Sequence, residues 1–144
     1  MANIELHIFV EKLQQLVENV EIKTKSLLKN ELKPTIEDFN TEQLSLGMRS
    51  DGVALPDYSE TSIKVFGKPR GRIKLYDTGD YYHSIEAFVQ NNKLILHASD
   101  WKDVKLQKRF GAKILGLTEE NIKILQNEDL TPLLVEKINE YFRI

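Results

Sequence analysis

Leu6, Phe9, Leu13, Leu16, Val17, Val20, Leu27 and Leu28 recur at spacings of three and four, with Glu, Lys and Gln between them. That period gathers apolar side chains on one face of a helix. Neither Gly nor Pro interrupts the run before Pro34, so the pattern predicts a long amphipathic helix within residues 1–33. At 1.5 Å per residue, a helix of ~25 residues would reach roughly 37 Å. That is long for a small domain, and two arrangements follow. Either another subunit covers part of the apolar stripe, or the helix breaks near Glu21 to Thr24 and packs wholly on its own domain.

Pro34 is expected to stop this helix, with Thr35 capping a second one through Phe39 toward Leu44. Gly47, Asp51-Gly52, Pro56, Gly67, Pro69 and Gly71 then crowd one stretch with turn formers. From Gly47 to Tyr76 the sequence predicts loop with one or two short extended pieces, such as Ser62 to Phe66. A connection this long is uncommon inside a compact domain and is usually functional or mobile, so 47–76 is read as a flexible interaction arm. Beyond it, Ile85, Ala87 and Val89 alternate with Glu86, Phe88 and Gln90. Asn91-Asn92 suits a tight turn, and Leu94, Leu96 and Ala98 alternate with Ile95 and His97. This is a β-hairpin pattern. Asp103 to Phe110 reads as a short helix ended by Gly111. Thr118 caps another through Leu125, and Thr131-Pro132 opens a last one to about Phe142. The fold class expected is α+β: a long N-terminal helix, a central hairpin or small antiparallel sheet, and short C-terminal helices. With 144 residues and no internal repeat, residues 1–144 form one domain.

Hydrophobic residues at 41% supply a core, and charged residues at 29% supply an ordinary soluble surface. The net charge of -2 argues against coating nucleic acid by bulk attraction. The absence of Cys removes disulfides, thiolate metal sites and a cysteine nucleophile. Met1 to Glu11 lacks the basic start and apolar run of a signal peptide. Synthesis of a soluble chain in a reducing cytoplasm is therefore expected.

Candidate chemistry is sparse. Asp77-Thr78-Gly79 matches the tripeptide of aspartic proteases, in which two copies bring carboxylates together to share a proton. A homodimer would supply the second copy, but Asp80 stands where that motif has a small residue and no Gly-rich flap follows. The alternative is a turn, with Gly79 at positive φ and Asp77 or Thr78 capping a helical turn from Asp80 to Ser84. His7, His83 and His97 show no metal-ligand spacing. Lys64, Lys68, Arg70, Arg72 and Lys74 form a basic loop, 64–74, with no acidic residue among them. It offers contacts to DNA phosphates or to an acidic partner, and a nucleic-acid-binding accessory role is the second alternative. Tyr76, Tyr81, Tyr82 and Trp101 are side chains of the kind that anchor interfaces. No catalytic, cofactor-binding or metal-binding residues are assigned, and no cofactor is expected.

The run from Leu75 to Ile85, with Thr78-Gly79 followed by an aromatic residue and Ser84-Ile85, resembles a signature of tailed-bacteriophage neck and tail-completion proteins. Glu42-Gln43-Leu44, Gly47, Ser50-Asp51-Gly52 and Tyr58-Ser59 resemble uncharacterised phage and prophage proteins, as do Phe110-Gly111 and the run from Ile114 to Asn121. Asp80 and aromatics stand where the neck family carries basic residues. The resemblance implies a virion-assembly protein of the head–tail connector or tail end, made in the host cytoplasm and residing in the virion. It would assemble as a ring by contacts with itself and with other virion proteins, without catalysis, cofactor or membrane.

Overall fold

A computed structural model describes residues 5–142 of the chain. Helix α1, Leu6–Lys29, runs unbroken through Glu21 to Thr24. Thr24 is held in it by donating its hydroxyl to the Val20 carbonyl at 2.7 Å. Of the two arrangements open from the sequence, the long helix is the one adopted. Leu32 N–H donates to the Leu27 carbonyl and turns the chain into α2, Lys33–Ser45. Pro34 opens α2 rather than merely ending α1, because a first-turn residue needs no N–H partner within the helix. Thr35 accordingly lies inside α2 and does not cap it.

Residues 47–76 depart most from the sequence pattern. Helix α3, Glu60–Phe66, replaces the extended piece expected at Ser62 to Phe66. Its ends explain this: Ser59 Oγ accepts from Ser62 N–H, and Gly67 closes the helix at φ +66°. These caps outweigh the alternation of Ile63, Lys64, Val65 and Phe66, which alone reads as a strand. The segment expected to serve as a flexible interaction arm is tied to the body of the chain. Leu55 and Ile73 are buried in the core, and Tyr58 N–H to Gly71 O and Ile73 N–H to Pro56 O tie the two limbs together. Arg49, paired with Asp51, also donates to the Phe110 carbonyl at 3.2 Å and clamps the first limb.

The short helix α4, Asp80–His83, leads into strand β1, Ile85–Gln90, which pairs antiparallel with β2, Lys93–Ala98. Asn91 and Asn92 take φ of +50° and +60°, the two-residue turn anticipated for them. Helix α5, Asp103–Phe110, ends at Gly111, and a 3₁₀ turn follows over Ala112–Ile114. Helix α6, Glu119–Ile124, begins where Thr118 Oγ1 accepts from Asn121 N–H. It does not stop at Leu125. A π-helical segment, Leu125–Leu130, carries it without a loop into α7, Thr131–Phe142. Pro132 lacks the N–H that a regular helix would use, and the wider turn upstream absorbs the mismatch. Thr131 Oγ1 donates to the Gln126 carbonyl across that turn, so Thr131 does not act as a cap.

The architecture is α+β, with one two-stranded sheet among the described residues. Among the described residues the core forms two clusters. Leu44, Leu55, Ile73, Tyr81, Ile85, Phe110 and Ile114 form the first. Leu27, Leu32, Ile36, Ala87 and Leu125 form the second. The inner face of the hairpin joins them, since Ile85 belongs to one, Ala87 to the other, and Leu96 packs on both.

Candidate functional site

The Thr-Gly corner is built from Lys74 to Ser84. Leu75 takes φ +54°, a costly conformation for a residue with a Cβ, and packs against the first cluster. Gly79 takes φ +90°, and a Cβ there would meet the Tyr76 ring at 3.2–3.4 Å. Thr78 Oγ1 accepts weakly from Asp80 N–H at 3.4 Å. Tyr76 stacks edge-on against Tyr82 with centroids 5.2 Å apart, and Tyr82 donates its hydroxyl to the Lys74 carbonyl at 2.6 Å. Tyr81 donates to Asp103 Oδ1 at 2.8 Å, while Gln107 holds the other oxygen of that carboxylate. Burial, then the neighbouring Asp103, pushes the Tyr81 hydroxyl well above the usual phenol range. Burial, with Tyr58 and Tyr76 nearby, pushes Tyr82 up to about 12. Both remain neutral hydrogen-bond donors at neutral pH.

These contacts divide the predicted interaction residues. Tyr81 is a core residue with almost no exposed surface, because its ring packs in the first cluster. Tyr82 is half-buried against the corner. Trp101 is 78% exposed. Asp77 is exposed and pairs with Lys68 at 3.5 Å. Lys68 also lies 5.9 Å over the Tyr58 ring. Arg70 and Lys64 share Glu60, at 2.8 and 4.0 Å. Arg72 reaches the Leu46 carbonyl and covers Gly47, while Lys74 is exposed.

An open cleft of about 250 Å³ brings Lys68, Asp77, Tyr76 and Tyr81 together with Ser59, Ser62 and Arg109. Asp77 is its one carboxylate among the described lining residues, and that carboxylate faces a lysine. The shared proton of an aspartic dyad requires two acids in contact, which one copy of this cleft does not supply. Among the described residues no group of three or more His, Asp or Glu could hold a metal ion. None of their helices is long and apolar enough to cross a membrane.

A run of uncovered apolar residues lies on α1. Leu6 is 76% and Val17 69% exposed, and Ile8, Phe9, Val10, Leu13 and Ile22 are open as well. Val10, Leu13, Gln14, Val17 and Glu18 line one shallow surface. A second groove runs between Leu16 and Val20 of α1 and Leu134 and Ile138 of α7. The stripe is thus only partly covered by the chain's own helices.

Sequence reasoning missed a buried polar clamp. Asn40, 0% exposed, donates to the Ile114 carbonyl and accepts from Gly116 N–H. Gln43 donates to the Gly116 carbonyl and accepts from Thr118 N–H and Asn121 Nδ2. Gly116 lies so close to Ser50 that an added Cβ would meet the serine at 3.0 Å. Two of the resemblance-bearing runs, 42–52 and 114–121, are therefore tied to each other. A polar pair one helical turn apart on an otherwise amphipathic helix was the available signal. No protein-family model matches this chain, and no curated protein or solved structure matches it either.

Proposed function

We propose that the chain is a structural subunit of a tailed-phage or prophage particle. It would act at the head–tail connector or tail end by joining copies of itself into a ring and binding neighbouring virion proteins. The observation that carries the assembly reading is the apolar stripe on the amino-terminal half of α1, left open in a chain that has a core of its own. A contiguous apolar patch of this kind on a soluble surface marks an interaction site. The resemblance of Leu75–Ile85 and its flanking runs to neck and tail-completion proteins supports the virion setting. The contacts of the corner favour an architectural role for Asp77-Thr78-Gly79: it turns the chain into α4 and the hairpin.

The chain so read has no catalysis and no cofactor. Pairing of Lys64, Lys68 and Arg70 with Glu60 and Asp77 leaves less free charge for phosphate contacts than the sequence suggests. Sequencing the flanking genes tests the setting. Portal, capsid and tail genes on either side are expected, and a neighbourhood without any virion gene would overturn the phage assignment.

A further inference from the structure

We infer that the amino-terminal half of α1 in one copy docks on the outer face of α3 in the next copy, as a head-to-tail contact between surfaces of opposite charge. This rests on the assembly reading and specifies which surfaces meet. On α1, Glu18 borders the apolar surface of Val10, Leu13 and Val17. Residues 5–18 hold Glu5, Glu11 and Glu18 against Lys12, and neither Glu11 nor Glu18 has an ion-pair partner among the described residues. On α3, Val65 and Phe66 are 69% and 71% exposed. Beside them Lys64 and Arg70 share the single carboxylate of Glu60, which leaves a positive surplus.

The two patches belong to different parts of the body. Helix α1 packs on α7, β1 and α2 at the second cluster. Helix α3 borders the cleft of Ile73 and Phe110 at the first. Two α1 stripes meeting each other would join surfaces of like charge, whereas α1 on α3 joins opposite ones, which steers and orients association. A contact between two different patches repeats from copy to copy and closes into a ring when the rotation allows.

Two variants altered only at exposed positions test this, each checked for folding by circular dichroism. Leu13→Ser with Val17→Ser breaks the α1 face, and Lys64→Glu with Phe66→Ser breaks the α3 face. Light scattering after size exclusion should find the native chain oligomeric and each variant monomeric. Their equimolar mixture should form a 1:1 dimer, because one intact face of each kind remains. A native chain that is monomeric at high concentration overturns the contact and the assembly reading together. A native oligomer whose α3 variant still assembles overturns the contact alone and leaves the assembly reading standing. A mixture that forms no dimer does the same.

Discussion

At Gln43 one carboxamide satisfies Gly116 O, Thr118 N–H and Asn121 Nδ2. Truncation strands several polar groups at once, and each such group left buried without a partner costs about 1–3 kcal/mol. Gln43→Ala is expected to lower unfolding free energy by roughly 2–3 kcal/mol in urea titrations, on the same principle. Asp51 sets a pH dependence. The hydrogen bond from Arg49 holds its carboxylate down to about 2 in the folded chain, whereas an unfolded Asp titrates near ~3.9. The folded state binds that proton less readily, so this contribution is present above pH ~4 and is lost as pH falls toward about 2. Asp51→Asn should flatten the acid limb of stability across that window, measured by denaturant midpoints at successive pH values. Gly79 and Asn91-Asn92 were legible from sequence because positive φ is a local demand met by local residue type. The Asn40 and Gln43 partners lie more than seventy positions away, beyond the reach of any window of the sequence.

At the scale of elements, the hairpin, α5 and the start of α6 follow from alternation, Gly111 and Thr118. Helix α3 did not, because its strand-like alternation competes with end signals at Ser59 and Gly67. The α6–α7 junction was hidden for another reason. Leu125 is buried in the second cluster and Leu130 packs on the same cluster, a spacing of five that no 3.6-residue period returns. The limbs around α3 carry a prediction of their own. Ile73→Ala should cost about 2–5 kcal/mol, as other truncations of buried aliphatic side chains do. Deleting residues 67–74 should unfold the chain, not merely release an arm, since Ile73 goes with them. Loss of the cooperative thermal transition would be the sign. A deletant that kept a native-like transition would show Ile73 to be dispensable.

For the whole molecule, the sequence announced a helix longer than its domain needs but left its covering open. Leu16 and Val20 of α1 face α7, and Leu27 and Leu28 join the second cluster, while Leu6, Val10, Leu13 and Val17 stay in solvent. Burying such a face between copies couples folding to association. The melting temperature should then rise with protein concentration over about two decades, because a bound partner stabilises only the folded state. Val17→Ser should remove that rise. A concentration-independent Tm for the native chain would mean that the stripe is not buried between copies.

The wide turn of Leu125–Leu130 also bears on length. It is a place where the helix holds one residue more than its pitch needs, so removing Asn127 would bring Leu125 and Leu130 to ordinary helical spacing, still side by side. A deletion inside α7, at Glu136 for instance, has no such slack and would swing Ile138 about 100° off α1. Calorimetry should find the first deletant nearly as stable as the parent and the second markedly weaker. Relatives one residue shorter would then be expected to differ at 125–130, with both ends of the helix still seated.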